Sequence, residues 1–250
     1  MSDQVAEEER SAGSCVKKSK KQAAELQVEE NMNKQNFQKE LDKILAGMEK
    51  SAKPKTLFLH SCCAPCSSYV LEYLSPYFEI TVFYYNPNIT ASAEYFKRVE
   101  EQKRLIALLN ETAGHYPIKV VEGDYKPEVF LEMAKGLENC PEGGERCFGC
   151  YRLRLEETAK RAAECGADYF ATTLTISPLK NAEKLNDIGE ELAAVYNVPW
   201  LPSDFKKKNG YKRSIQLSAE YDLYRQDYCG CAFSKAERER QKREAQTGQA

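Results

Sequence analysis

The chain has 250 residues, 10 of them cysteine, and a formal net charge of −2. This length suits one α/β domain with a sizeable core and is short for two. The near-neutral charge excludes a global field that attracts polyanions, so any contact with nucleic acid must come from a local patch. No apolar run reaches membrane-spanning length, and the N-terminus lacks a signal-peptide segment. We therefore expect a soluble cytoplasmic protein with no membrane partner, whose thiols bind metals or carry out redox chemistry.

Composition divides the chain into four segments. Residues 1–35 are poor in apolar side chains, which predicts a disordered N-terminal tail that includes Cys15. Apolar residues at helical spacing predict an amphipathic helix within 36–53. Residues 54–235 carry the patterns of a single α/β domain, which we expect to be the catalytic one, and residues 236–250 are a charged C-terminal tail with the pattern of an exposed helix.

Strands and helices alternate through the α/β domain. The predicted strands are 56–59, 80–85, 118–121, 169–174 and a short fifth strand at 200–201. The predicted helices begin near residue 67 and then cover 92–110, 127–137, 147–165 and 181–196. This alternation predicts a doubly wound parallel sheet, in which ligands bind beyond the carboxyl ends of the strands.

Two groups of cysteines stand at predicted element boundaries. Cys62, Cys63 and Cys66 lie on the turn from the first strand into a helix, and Cys147 and Cys150 lie at the start of another helix. Helix N-termini favour the thiolate form that metals require. Adjacent cysteines point in different directions, which suits an iron–sulfur cluster better than one zinc ion.

Other interpretations of these cysteines remain open at this stage. Closely spaced cysteine pairs are also typical of structural zinc sites. Cysteines are also common as small buried side chains, and this describes Cys165, predicted on the apolar face of its helix. Cys229 and Cys231 are separated only by Gly230, and such a pair forms a strained, labile disulfide that can store two electrons. Metal binding or two idle thiols are the alternatives for that pair.

Several longer motifs resemble the QueH family of epoxyqueuosine reductases. The resemblance spans about residues 55–235, and its motifs occur in matching order: HSCCAP at 60–65, FYYNPNI at 83–89, RCFGCYRL at 146–153, TTLTISPLK at 172–180, DFKKK at 204–208, RS at 213–214 and LYRQDYCGC at 223–231. The resemblance implies a Rossmann-like fold related to the nucleotide-binding α-hydrolase group. It also implies reduction of epoxyqueuosine to queuosine at the wobble position of tRNA, with an electron donor that the sequence does not name.

The resemblance assigns roles to individual cysteines. It implies a 4Fe–4S cluster on Cys62, Cys63, Cys147 and Cys150, and a redox-active disulfide between Cys229 and Cys231. Members of the family can carry an aspartate where this chain has Cys66, next to a second metal. Either side chain can bind iron, so Cys66 is a candidate ligand for a second iron.

A basic stretch is the candidate RNA contact. Lysines and one arginine crowd around Tyr211, which offers a ring for stacking on a base: Lys206, Lys207, Lys208, Lys212 and Arg213. With the resemblance, the expected partner is the anticodon stem-loop of a tRNA that carries epoxyqueuosine. Two rival functions are a zinc-stabilised nucleic-acid binding module without catalysis, and a thiol–disulfide oxidoreductase that acts through Cys229 and Cys231.

Overall fold

A parallel sheet of four strands organises the protein. The structure is a computed structural model that describes residues 35–48, 53–112 and 114–247. The strands are β1 (Lys55–His60), β2 (Phe78–Tyr84), β3 (Lys119–Glu122) and β4 (Tyr169–Thr172). They are ordered β3-β2-β1-β4, and every neighbouring pair is parallel. The predicted α/β class with a doubly wound, Rossmann-like sheet is therefore confirmed.

Helices cover both faces of this sheet. The helices of the described residues are α1 (Phe37–Met48), α2 (Ala64–Leu74), α3 (Ser92–Asn110), α4 (Pro127–Met133), α5 (Glu145–Glu164), α6 (Ala182–Tyr196), α7 (Gly210–Glu220) and α8 (Ala232–Thr247), with a 3₁₀ turn at Thr173–Ile176. No helix among the described residues combines the length and the apolar character that crossing a membrane requires.

Alternation along β1 divides the hydrophobic core into two layers. Leu57 and Leu59 point to one face, where they pack with apolar side chains of α1, α2 and α3. Phe58 points to the other face and packs with side chains of α5 and α6. Successive side chains of a strand alternate between faces, and burial of both faces explains why this strand is a continuous apolar run.

The order of the strands fixes where a ligand can bind. The chain moves outward from β1 through β2 to β3, then crosses back so that β4 pairs with the opposite side of β1. The switch in direction lies between β1 and β4, and a crevice opens there at the carboxyl ends of the strands. The cysteine loop that follows His60 and the turn that follows Thr172 both lie at this edge.

Three predicted elements differ from the structure. The fifth strand at 200–201 is a single bridge from Trp200 to Phe170. Pro199 has no N–H to extend the ladder on one side, and the Ser203 N–H on the other side donates to Oδ1 of Asn186. Helix α4 ends at Met133 instead of residue 137, before Gly136 takes a left-handed φ of +77°. Cys165 is exposed at the end of α5, so its prediction as a core residue is wrong.

Three predicted segments compare with the structure in different ways. The predicted tail, 1–35, lies outside the described residues except for Gln35. Helix α1 falls within the range where an amphipathic helix is predicted. Helix α8 begins at Ala232 and continues across residue 236, so the chain has one continuous helix where the sequence predicts a boundary.

Candidate thiol-rich active site

Three thiols meet in the loop that follows β1. The Sγ atoms of Cys62, Cys63 and Cys66 all lie within 4.8 Å of one another. The backbone at Cys63 is extended and caps α2, and Pro65 occupies the first turn of that helix. One turn of helix then brings Cys66 back beside the other two thiols, because residues three apart share a helix face. The local fold therefore creates a group of soft metal donors.

Hydrogen bonds from β2 and α3 hold this loop in place. The Ser61 N–H donates to the carbonyl oxygen of Phe83 at 3.0 Å. The Asn86 amide donates to the Ser61 carbonyl at 2.8 Å, so Asn86 shapes the loop. Beneath the loop, the hydroxyl groups of Ser61 and Ser67 both donate to Oε1 of Gln102, at 2.8 and 3.0 Å. The thiol group thus rests on a buried polar layer.

His60 is part of the supporting structure. It is fully buried, and its two ring nitrogens contact the Thr172 hydroxyl at 2.8 Å and the Tyr85 carbonyl at 3.1 Å. Burial, together with the positive charge of Arg154, lowers the pKa of His60 to about 3. The imidazole is therefore neutral at physiological pH and joins β4 to the loop after β2.

The three clustered thiols differ in acidity. Hydrogen bonds from Cys63 and Cys66 hold the pKa of Cys62 well below its ordinary value. The same hydrogen bond to Cys62 raises the pKa of Cys63 to about 12, and it also raises the pKa of Cys66. Thr173 adds a longer contact, with its hydroxyl 3.7 Å from the Cys62 sulfur. Cys62 is thus the most acidic thiol of the group.

A cavity of about 440 Å³ opens above these thiols. Cys62, Cys63 and Cys66 line it together with Cys229, which comes from the other end of the chain. Five cationic side chains also line the cavity: Arg98, Arg154, Lys180, Arg225 and Arg238. The cavity is large enough for a drug-sized ligand and presents positive charge beside thiols.

A small second cavity is lined by four cysteines. Its lining includes Cys147, Cys150, Cys229 and Cys231. Four residues line both cavities, namely Glu142, Arg154, Lys180 and Cys229. The fold therefore places the second cysteine pair next to the first group, with cations and Cys229 between them. Among the described residues, the only group of three or more metal-ligand side chains within 4.8 Å of one another is that of the β1 loop.

The pKa values of the second cysteine pair, Cys147 and Cys150, are shifted in the direction opposite to the sequence prediction, which favoured thiolates at helix N-termini. Both lie in the first turns of α5, and the Gly143 N–H donates to the Cys147 sulfur at 3.2 Å. Burial nevertheless raises the pKa of Cys147, and it raises the pKa of Cys150 to about 11. Both are therefore thiols at neutral pH until a bound cation removes their protons. Desolvation here outweighs the effect of the helix N-terminus.

Arg154 and Lys180 counter the charge of the thiolates. Arg154 is 3% exposed, and burial opposes its charge, but the nearby Cys150 and Cys62 outweigh that effect and raise its pKa. Burial likewise opposes the charge of Lys180, and Cys229 and Cys62 outweigh it. Sequence reasoning passed over both residues, although Arg154 follows Cys150 by one helical turn and shares its helix face.

The Cys229–Cys231 segment is a tight loop in front of α8. The two Sγ atoms are 3.4 Å apart, and Gly230 between them has a φ of +111°. A hydrogen bond from Cys231 holds the pKa of Cys229 well below its ordinary value, and Lys180 lowers it further. The same hydrogen bond raises the pKa of Cys231. The pair therefore has one reactive thiolate and one neighbouring thiol.

The donor set fits a metal centre. Thiolates are soft ligands that iron and zinc both accept. Three partly or fully buried sulfurs within 4.8 Å of one another provide such a set, and the lowered pKa of Cys62 favours loss of its proton to a cation. The adjoining pair, Cys147 and Cys150, offers two further sulfurs.

The basic stretch is less available than the sequence suggests. Lys206 is 2.9 Å from Asp204, Lys208 is 2.7 Å from Asp42, and Arg213 is 2.5 Å from Glu72. No ion pair involves Lys207 or Lys212 within the described ranges of the chain. Tyr211 is 38% exposed and lines the large cavity, so this residue connects the basic stretch to the thiol site.

A thiol-lined, cationic cavity at the switch point of a Rossmann-like sheet is suited to redox chemistry, and the chain is an enzyme of the oxidoreductase class. Comparison with known families identifies it further. The model of the family described as epoxyqueuosine reductase QueH matches residues 57–237. The chain belongs to this family, as its motifs indicated.

Curated relatives agree with this assignment. The epoxyqueuosine reductase QueH of Staphylococcus epidermidis is 45% identical over 201 residues, which cover 80% of this chain and 84% of the relative. The protein of the same name from Streptococcus pyogenes is 43% identical over 207 residues, covering 82% and 81%. That of Thermotoga maritima is 35% identical over 189 residues, covering 73% and 92%.

Proposed function

We propose that this enzyme reduces epoxyqueuosine to queuosine at the wobble position of tRNA. Family membership supports this substrate, and the carrying observation is the cavity in which clustered thiols, cationic side chains and Cys229 face one space. A volume of about 440 Å³ accommodates a single modified nucleobase. Enzymes that act on a base take it out of its stack, and a wobble base in a single-stranded loop is available for that movement.

The reaction needs two electrons and two protons. The epoxide carbons lose their shared oxygen and form a C=C bond, and the oxygen leaves as water. Oxidation of the Cys229–Cys231 dithiol to a disulfide releases two electrons and two protons, which balances the reaction. Cys229 lines the substrate cavity and its pKa is lowered, so it is the thiol we assign to face the substrate. An external two-electron donor must then reduce the disulfide.

The remaining residues of the cavity have supporting roles in this proposal. Cleavage of the C–O bond places negative charge on the epoxide oxygen, and Lys180 and Arg154 line the cavity to stabilise that charge. The walls of the cavity exclude bulk water, which strengthens this interaction. Because both residues line the small cavity as well, the same positive charges also act on the second cysteine pair.

The metal centre we assign is a 4Fe–4S cluster held by Cys62, Cys63, Cys147 and Cys150, with Cys66 as ligand of a second iron. The clustered thiols and the adjoining pair support this assignment, because cysteine thiolates are the usual ligands of such clusters. When bound, these groups supply single-electron transfer and a Lewis acid for the epoxide oxygen. Cys66 adds a third sulfur to Cys62 and Cys63, and it lines the large cavity.

Anaerobic purification with turnover of tRNA that carries epoxyqueuosine tests the proposal. We expect a brown protein that contains iron and acid-labile sulfide and that forms queuosine in tRNA. Cys229→Ser should lose turnover and keep its iron and sulfide, whereas the matched control Cys165→Ser, at an exposed thiol, should keep both. A colourless zinc protein without turnover would favour a nucleic-acid binding module. Reduction of protein disulfides without any effect on tRNA would favour a thiol–disulfide oxidoreductase.

A further inference from the structure

The large cavity has a buried floor and an exposed rim. On the floor, Cys63 and Arg98 are each 2% exposed and Arg154 is 3% exposed. On the rim, Leu179 is 58% exposed and Tyr211 is 38% exposed. Arg225 is also exposed, and Arg238 of α8 is partly exposed. These four residues belong to the exposed part of the cavity lining, together with Pro178 and Asp227.

The two arginines of the rim donate their hydrogen bonds to neutral acceptors, although the Asp227 carboxylate is close enough to Arg238 for the arginine's charge to lower the Asp227 pKa. Arg225 donates to the Ser218 hydroxyl at 3.0 Å, and Arg238 donates to the Asp227 carbonyl at 3.0 Å. Neither arginine has a salt bridge with a residue in the described part of the chain. Asp227, the acid beside them, is itself paired with Lys242 at 2.5 Å. Both guanidinium groups thus keep donors for an external anion.

In the basic stretch at 206–213, by contrast, most of the cations are paired with carboxylates. Three of its five cations are held in ion pairs with Asp204, Asp42 and Glu72. Binding a phosphate there requires breaking those pairs, whereas Arg225 and Arg238 require no such exchange. An arginine fork also matches phosphate geometry better than a lysine does. Lys207 and Lys212 have no ion pair within the described residues either, but they do not line the cavity, whereas Arg225 and Arg238 do.

The parts of an RNA chain that would lie at the entrance of the cavity are chemically complementary to the rim residues. If a base enters the cavity, its ribose and the two flanking phosphates remain at the entrance, and the neighbouring bases lie outside. Single-stranded RNA is bound by cations at the phosphates and by aromatic or apolar faces at the bases. Arg225 and Arg238 supply the first, and Tyr211 and Leu179 supply the second.

We propose that the rim surface, defined by Leu179, Tyr211, Arg225 and Arg238, binds the single-stranded RNA on both sides of the wobble nucleotide. The two arginines bind the flanking phosphates, and Tyr211 stacks on a neighbouring base. This inference rests on the proposed function, because it takes an RNA nucleotide as the occupant of the cavity. It replaces the lysines of the 206–213 stretch as the principal RNA contact.

Binding of an unmodified anticodon stem-loop RNA, measured by fluorescence anisotropy at several salt concentrations, tests the rim surface without requiring catalysis. The double variant Arg225→Gln/Arg238→Gln should bind more weakly. The slope of log affinity against log salt should fall in magnitude by about 1.4, since each contact with a single-strand phosphate contributes about 0.7. The matched control Lys207→Gln/Lys212→Gln removes two unpaired lysines from the basic stretch and should change the slope little.

Variants of Tyr211 test the stacking contact. Tyr211→Ala should lower affinity on the order of tenfold, and Tyr211→Phe, which keeps the ring, should bind as the wild type does. Arg240→Gln removes another arginine of α8, one that is paired with Glu244, and should be neutral. Thermal unfolding of every variant should match the wild type, because the substituted side chains lie on the surface.

Two outcomes would overturn the rim surface: an unchanged slope for the double arginine variant, or a larger loss from the lysine control. Absence of wild-type binding to the stem-loop would also overturn it. Failure of the proposed function is a different result, in which the wild type binds the stem-loop and the rim variants do not, yet epoxyqueuosine in tRNA is not reduced. In that case the RNA surface stands and the assigned reaction falls.

Discussion

The guanidinium group of Arg98 donates a hydrogen bond of 3.2 Å to the backbone carbonyl of Cys229, 131 residues further along the chain. Arg98 is 2% exposed, forms a salt bridge of 2.7 Å with Glu94, and also reaches the Tyr228 carbonyl at 3.5 Å. One buried arginine of α3 therefore holds the loop that contains the proposed redox pair against the floor of the cavity.

Loss of this arginine should destabilise the fold. We expect Arg98→Gln to lower the free energy of unfolding by about 3 kcal/mol, because Glu94 and two carbonyl groups lose a buried partner. Urea denaturation measures this. Lys103→Gln, on the same helix, removes exposed ion pairs and should cost less than about 1 kcal/mol. Equal losses for the two variants would contradict the role of Arg98 as a buried anchor.

Gly230 should tolerate no side chain. Its φ of +111° is unfavourable for other residues, and a Cβ there would lie 2.7 Å from Cγ1 of Ile89. Gly230→Ala should therefore cost more than about 1 kcal/mol of unfolding free energy and displace Cys229 relative to the cavity. Turnover should fall while the contents of iron and sulfide remain.

Gly136→Ala is the matched control for that variant. Gly136 has a φ of +77°, and a Cβ there would meet nothing within 4 Å. This variant carries the backbone strain alone, about 1 kcal/mol, without the clash. We expect it to keep turnover. If both alanine variants lose turnover equally, strain and not the contact with Ile89 explains the effect.

Metal analysis should separate Cys62 from Cys66. If both belong to the metal centre as assigned, Cys62→Ser should lose iron and acid-labile sulfide together, since a cluster ligand is removed. Cys66→Ser should lose iron and keep sulfide, because a second iron brings no sulfide. Iron and sulfide assays on anaerobically purified protein measure both. Parallel loss of iron and sulfide in Cys66→Ser would instead make Cys66 a ligand of the same cluster.

The thiolate of Cys229 should give a characteristic pH dependence. Because its pKa is lowered by the hydrogen bond from Cys231 and by Lys180, Cys229 is ionised at pH values where an ordinary thiol is not. Its rate of alkylation by iodoacetamide should therefore reach a plateau at a lower pH than that of Cys165, whose pKa is raised by burial. Cys231→Ala removes the donor and should shift the Cys229 profile to higher pH.

Mass spectrometry of tryptic peptides provides the measurement. Cleavage after Arg225 and Lys235 gives a peptide whose only cysteines are Cys229 and Cys231. Cleavage after Arg161 and Lys180 gives another, whose only cysteine is Cys165, as an internal reference. Identical pH profiles for Cys229 and Cys165 in the wild type would contradict the lowered pKa.

The parallel sheet could be predicted because its signal is local. Each strand is a short apolar run followed by a helical pattern, and strands buried on both faces have that composition wherever they occur. The prediction of the fifth strand failed because Pro199 lacks a ladder donor and the Ser203 N–H donates to the distant side chain of Asn186 instead. The prediction that Cys165 is a core residue failed because helical periodicity does not show where α5 ends. Cys165 lies at that end, and its side chain is exposed.

The site was predicted in part. The cysteine motifs are contiguous, so their residues could be named, and Cys66 meets Cys62 and Cys63 by the geometry of one helical turn. The basic stretch around Tyr211 could be named, but its ion pairs with Asp42 and Glu72 could not, since those partners lie far away in the sequence. The same distance concealed the arginines and the lysine that line the cavity.

The sequence by itself determined the class of sheet, the family and the positions of the cysteine motifs, because each of these is written in short segments of adjacent residues. Only the tertiary structure decided that Cys229 faces both groups of cysteines, and that Arg98, Arg154 and Lys180 surround it. The physical reason is that charge and desolvation act through space. A pKa, an ion pair or the lining of a cavity depends on neighbours that the order of the chain does not reveal.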